Sequence, residues 1–182
     1  PVSELVLTTP DPDVIDYVDK NWNGKLTIIN RPKQLSQINT PLEPVVRHAL
    51  DHIAKPHDYG FFMLMSIETP FKKSQIIESG INIMNIFDVD TVVGVRPERN
   101  LLLNHNGKGM QFFMKQGEFR LERNELYKMV PGYLVRDMKT FQKTGKLFGN
   151  TIGHVIFDQL SAFNISNELD CSIADFLARN HI

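Results

Sequence analysis

Two hydrophobic patterns alternate along the first half of the chain. Leu5-Val6-Leu7 is a short unbroken apolar run, the pattern of a buried strand. After Pro10-Asp11-Pro12-Asp13, the residues Val14, Ile15, Val18 and Trp22 recur at helical spacing, with Thr9 or Asp11 suited to the cap and Pro12 to the first turn. Leu26-Thr27-Ile28-Ile29 predicts a second strand, running into a loop from Asn30 to Pro41. Leu42, Val45, Val46, Ala49, Leu50 and Ile53 then form an i, i+3, i+4, i+7 stripe. Phe61-Phe62-Met63-Leu64-Met65 predicts a strand covered on both faces. A Thr69-Pro70 loop precedes a helix bearing Ile76, Ile77, Ile81, Met84 and Phe87, with Ser74 as its candidate cap. Thr91-Val92-Val93-Gly94-Val95 closes the series. Four such alternations predict an α/β domain with a largely parallel sheet and helices on both faces.

The second half changes character. Leu101-Leu102-Leu103 and Met110-Gln111-Phe112-Phe113-Met114 flank Asn104-His105-Asn106-Gly107, whose Asn-Gly pair predicts a hairpin. Gln116-Gly117 marks another turn, and Gly132-Tyr133-Leu134-Val135 a further short strand. Asp137 to Lys143 reads as a short helix, Gly145 to Gly149 as a loop, and the segment from about Asp170, with Ile173, Phe176 and Leu177, as a closing helix. The chain is therefore expected to form three layers with an antiparallel excursion in its later half.

Composition narrows the picture by exclusion. The chain has 182 residues, 42% of them hydrophobic with twelve Phe, enough for one domain with its own core. Its single cysteine, Cys171, excludes an internal disulfide framework and suits a packed thiol. A net charge of −1 implies no whole-surface attraction to nucleic acid or membrane, and no apolar run approaches the ~20 residues of a membrane span. The chain opens without Met, almost directly in a strand-like run, so an upstream segment is expected.

Self-sufficient phosphate-loop, dinucleotide, serine-hydrolase and zinc-protease motifs do not occur in the sequence. His48 and His52 lie one helical turn apart and read better as rim histidines than as metal ligands. The loops after the strands hold more chemistry, because ligands of doubly wound sheets bind beyond the strands' carboxyl ends. They carry Thr8-Thr9-Pro10-Asp11, then Asn30-Arg31-Pro32, then Ser66-Ile67-Glu68-Thr69-Pro70-Phe71-Lys72-Lys73. Arg31 is a forked cation suited to a phosphate, or equally to a loop-closing salt bridge. Lys72 and Lys73 suit either solvent or an anion near the following helix N-terminus.

Together these segments resemble the cytidylyltransferases that activate acidic sugars, the CMP-sialic acid synthetase family. Leu5 to Asp11 is similar to that family's strand ending in Ser-Thr-Asp-Asp, and Asn30-Arg31-Pro32-Lys33-Gln34-Leu35 to its Arg-Pro-x-Glu-Leu loop. Arg47-His48-Ala49-Leu50 is similar to Leu-His-Ala-Leu, Phe62 to Lys72 to the strand entering Gln-Pro-Thr-Ser-Pro-Leu-Arg, and Asp90 to Val95 to Asp-Ser-Val-Val-Ser-Val. Gly145 to Gly149 with Ile152-Gly153, then Glu168-Leu169-Asp170 and Ala174-Asp175-Phe176-Leu177, resemble the family's C-terminal run in order and spacing.

The resemblance implies a Rossmann-like nucleotidyltransferase fold of the glycosyltransferase-A type over residues 1–182, with 101–149 as an antiparallel, dimerising excursion. It implies attack of a sugar acid's hydroxyl on the α-phosphate of CTP with release of pyrophosphate, a Mg²⁺ ion, a homodimer and a cytoplasmic location. It places Arg31 and Thr40 at the nucleotide, and Lys72, Tyr133 and Phe148 near the sugar; both aromatics equally suit a core. The dimerising surface would include Leu101, Leu102, Phe112, Phe113, Phe119 and Tyr127. The family's first strand and its Arg-x-x-Ser-x-Arg phosphate loop have no counterpart in these residues, so the sheet is expected to lack a central strand unless another segment supplies one. The family's Asp-Ile-Asp metal pair is matched by Asn164-Ile165-Ser166, and its sugar-contacting Gln and Thr by Ser66 and Glu68, so family ligands do not carry over to those four positions. Asp170 matches the helix-starting Asp and is expected to cap. Two further readings stay open: a non-catalytic binding module, and a nucleotidyltransferase for a neutral or amino sugar, which Glu68 would suit.

Overall fold

The computed structural model describes residues 2–22, 24–100, 102–105, 107–112 and 126–180. The chain forms two compact units, Pro1–Phe62 with Arg136–Asn150, and Met63–Val135 with Thr151–Ile182.

The first unit carries β1 (Val6–Thr9), α1 (Pro12–Trp22), β2 (Thr27–Asn30), α2 (Leu42–Asp51) and α4 (Met138–Thr144). β1 and β2 pair in parallel from Val6↔Thr27 to Thr9↔Asn30 and form a two-stranded sheet of their own. Asp11 opens α1, its carboxylate accepting the Asp13 N–H at 2.9 Å. No residue of α1 is fully buried. The core of this unit is Ile29, Val45, Val46, Leu50, Met138, Phe141 and Leu147. Asp137 caps α4 by accepting the Thr140 N–H, and the Phe62 ring meets Phe141 edge-on at 5.1 Å.

The second unit is built on strands hydrogen-bonded in the order β3-β7-β4-β8, where β3 is Phe61–Met65, β4 Thr91–Glu98, β7 Leu126–Asp137 and β8 Ile152–Ile156. β4 and β8 are parallel, from Thr91↔Ile152 to Val95↔Ile156. α3 (Ser74–Phe87) packs on β4 and β8, and α5 (Glu168–Arg179) closes the described chain. β5 (Leu103–His105) and β6 (Met110–Phe112) form the expected hairpin. Leu101, Phe113, Met114, Gln116-Gly117 and Phe119 lie outside the described residues.

Several expectations are corrected. β3 is half-buried to exposed rather than covered on both faces, since within the described residues its only strand partner is β7. The short strand at Gly132 is the end of a twelve-residue strand that Pro131 does not interrupt. β8 was not anticipated, because its His154 and Gly153 break the apolar run. Ser74 does not cap α3, whose N-cap position is Lys73. Asn167, not Asp170, caps α5 by accepting the Asp170 N–H at 3.0 Å.

Candidate functional site

β4 and β8 run in parallel, so their carboxyl ends come out together, and there the second unit opens a cavity of about 490 Å³. Arg96, Glu98, Arg99 and Asn100 line it from the end of β4, Lys128 from β7, and Phe157 and Gln159 from beyond β8. The Glu98 carboxylate accepts the Asn100 N–H at 2.8 Å and so turns the chain out of the strand. Phe157 is 2% exposed and fixed edge-on against Tyr133 at 5.0 Å, giving the cavity a rigid apolar wall. Arg96, Arg99 and Lys128 make no ion pair among the described residues. Three cations and one carboxylate around a cavity of this size suit a small anionic molecule, whose carboxylate or phosphate the guanidinium forks can grip. Sequence reasoning missed this cluster. Its signal was Arg96-x-x-Arg99 directly after the apolar run of β4, at a strand's carboxyl end.

Beside it, two loops of the same unit are tied together. Ile165 N–H donates to Glu68 O at 2.8 Å, Lys73 pairs with Asp158 at 2.9 Å, and the Phe71 and Phe163 rings lie 6.2 Å apart. The Lys73 hydrogen bond, with the Ser161 N–H, holds the Asp158 carboxyl down to about 2. Lys72 donates to Ser66 O at 3.1 Å, to Thr69 O at 2.7 Å and to the Thr69 hydroxyl. Burial pushes its ammonium down to about 8. Its donors are used inside the loop, so in this structure Lys72 fastens Ser66–Thr69. Tyr133 is 2% exposed and donates its hydroxyl to Ile76 O at 2.9 Å; burial pushes that hydroxyl up to about 12. It stands in the core.

The other expected residues belong to the first unit. Arg31 follows β2, its N–H donating to Thr9 O at 2.9 Å, while its guanidinium Nε is shielded from solvent with no partner among the described residues. Thr40 closes its own loop through Gln34 O and Gln37 O. Phe148 is 44% exposed. The His48 and His52 rings lie 4.5 Å apart, and His52 Nδ1 bonds His48 O at 2.7 Å.

The positions that the resemblance assigns to metal ligation do not fit Mg²⁺. Asn164 Nδ2 donates to Ser166 Oγ at 2.7 Å, and both groups are neutral, whereas Mg²⁺ needs carboxylates in near-octahedral geometry. Asp170 accepts the Ser166 N–H at 2.9 Å. Among the described residues no three His, Cys, Asp or Glu side chains gather.

Neither a protein-family model nor a curated protein sequence matches the chain. Solved structures do match it in fold. 4-Diphosphocytidyl-2C-methyl-D-erythritol synthase from Anaerococcus prevotii superposes with a TM-score of 0.71 at 12% identity, over 98% of this chain and 82% of its own. 2-C-Methyl-D-erythritol 4-phosphate cytidylyltransferase from Thermus thermophilus gives 0.61 at 13%, over 98% and 83%. CMP:2-keto-3-deoxy-manno-octonic acid synthetase, complexed with CTP, gives 0.66 at 9%, over 100% and 83%. The chain therefore has the α/β nucleotidyltransferase fold, with its cationic cavity at the carboxyl ends of β4 and β8.

Proposed function

We propose that the protein is a nucleotidyltransferase of the cytidylyltransferase type, moving CMP from CTP to a small acidic acceptor of the sugar-acid class. The observation that carries this reading is the cavity of Arg96, Arg99 and Lys128 at the strand ends of a fold shared with cytidylyltransferases. In the reaction, an acceptor hydroxyl oxygen forms a bond to the α-phosphorus while the bond from that phosphorus to the β-bridging oxygen breaks. Pyrophosphate leaves, and the hydroxyl proton passes to solvent. Arg96, Arg99 and Lys128 hold the acceptor's acid group, and rigid alignment of the two reactants supplies much of the acceleration. In the first unit, Arg31, whose Nε has no partner among the described residues, is the residue that the sequence resemblance offers to nucleotide phosphates. A sialic acid or related nonulosonate is the finer acceptor that the sequence resemblance favours. The hairpin exposes Leu102, Leu103, Met110 and Phe112, an apolar surface suited to a second copy.

The test is pyrophosphate release from CTP supplied as its magnesium complex, with a panel of sugar acids. Arg96→Ala should raise KM for the acid about tenfold, the value of one charged hydrogen bond, and leave CTP affinity unchanged. Folded protein that binds no CTP sinks the reading. The neutral Asn164–Ser166 pair favours one alternative, a binding module without catalysis, which would bind CTP and release no pyrophosphate with any acceptor.

A further inference from the structure

We propose that the turn from Asn164 to Asp170 closes on itself by hydrogen bonds and takes up no divalent cation, so that any magnesium in the reaction arrives on the nucleotide. The proposal deepens the nucleotidyltransferase reading, but it is argued from this turn alone. Asn164 Nδ2 donates to Ser166 Oγ at 2.7 Å, so the two side chains on either side of Ile165 are joined directly. If the amide is turned over, the pair still shares one hydrogen bond and remains neutral. Ser166 N–H donates to Asp170 Oδ2 at 2.9 Å, and Asp170 N–H donates to Asn167 Oδ1 at 3.0 Å. The Asp170 carboxylate thus sits in the first turn of α5 with the Ser166 N–H as its donor.

The neighbouring carboxylates are engaged as well. Asp158 accepts from Lys73 at 2.9 Å, from Ser161 N–H at 2.7 Å and from the Ser161 hydroxyl at 3.2 Å. Glu68, whose carbonyl receives Ile165 N–H, takes the Ser66 hydroxyl at 3.3 Å. Mg²⁺ gives up its water only to several well-placed oxygens, preferably charged ones. Here the Asp170, Asp158 and Glu68 carboxylates are already matched to protein donors, which leaves Glu168 as the one carboxylate of this turn without a donor among the described residues. The acceptor atom of the Asn164 amide, Oδ1, is shielded from solvent and has no partner among the described residues. An amide oxygen can join a cation's ligand shell, but a single neutral oxygen does not draw Mg²⁺ out of water without one or two free carboxylates beside it.

The experiment titrates Mn²⁺, as a stand-in for Mg²⁺, into the protein alone and follows the free-ion signal by electron paramagnetic resonance. The wild type should leave that signal undiminished. The Asn164→Asp/Ser166→Asp double variant, which puts carboxylates at both positions, should remove one Mn²⁺ per chain and show a melting temperature that rises with Mn²⁺ and falls back with chelator. Uptake of one Mn²⁺ by the wild type, lost in both Asn164→Ala and Asp170→Asn, would overturn the proposal. Uptake retained in those variants places the ion elsewhere and leaves the proposal standing. If the double variant does not fold, the wild-type titration still decides. Because no nucleotide is present, a failure of CTP binding would remove the functional reading without touching this result.

Discussion

The two units bury their strands to different depths, although both carry strands that read alike in sequence. In the second unit Val92 is 0% exposed, Val135 0% and Tyr133 2%, because β4 and β7 each have a strand on either side. In the first, β1 pairs only with β2 among the described residues, and all four of its residues are half-buried. Its helix α1 buries no residue fully. An apolar run specifies a strand. Depth of burial comes from how many neighbours that strand acquires, which is a property of the assembled sheet.

The largest expected effect tests that contrast directly. Tyr133→Ala in the second unit removes a ring packed on Phe157 and a hydroxyl bonded to Ile76 O, and should cost about 3–5 kcal/mol. Val18→Ala in α1 removes a half-buried side chain and gains helix propensity, so its cost should stay near or below about 1 kcal/mol. Urea unfolding of both variants, read against the wild type, checks the ranking. Equal losses would mean that the first unit's core is as tightly built as the second's.

How much of this was legible beforehand follows from the same physics. Elements written as continuous runs or clean helical stripes were read almost to the residue: β3 at Phe61–Met65, α2 from Leu42, α3 through Phe87. β8 was missed because Gly153, where a Cβ would lie 2.8 Å from Ile83 of α3, and the exposed His154 dilute the apolar pattern. The fold resemblance carried across a divergence in which sequence identity to the superposed enzymes is only 9–13%. The cationic cavity was not legible, since Lys128 joins Arg96 and Arg99 only through the strand order that places β7 beside β4. Lys72 suited either solvent or an anion in the sequence, and nothing there says that its ammonium turns back onto Ser66 and Thr69.

A smaller effect distinguishes two glycines that share a backbone conformation. Gly132, in the second unit, has φ +67°, and an added Cβ would press on Ser66, whose backbone nitrogen would lie 2.9 Å away. Gly24, in the first, has φ +74° with nothing within 4 Å. Both pay the left-handed penalty of about 1 kcal/mol on replacement by Ala, and only Gly132 adds a clash with backbone. Gly132→Ala should therefore lose about 2–3 kcal/mol and Gly24→Ala about 1 kcal/mol in the same unfolding experiment. A Gly24 variant as unstable as the Gly132 variant would show that backbone strain alone sets both costs.

The smallest effect separates the units by pH. In the second, the Lys73 hydrogen bond holds the Asp158 carboxyl down to about 2, below its ordinary 3.8. A depressed carboxyl contributes stability that is complete above its unfolded value and is lost as pH falls towards 2. The pair is about half exposed, so solvent screening limits the contribution to under about 1 kcal/mol. In the first unit, Tyr59 donates to Glu4 at 2.8 Å, and that bond raises the Tyr59 hydroxyl above its ordinary 10. That contribution is complete below 10 and is lost as pH rises through the elevated value. Asp158→Asn should therefore flatten the acid limb of a stability–pH profile between about pH 4 and pH 2 and leave the alkaline limb alone, while Tyr59→Phe should do the reverse. High salt should shrink the Asp158 effect further, because an exposed pair is screened. An Asp158→Asn protein that keeps the full acid limb would assign that limb to other carboxylates.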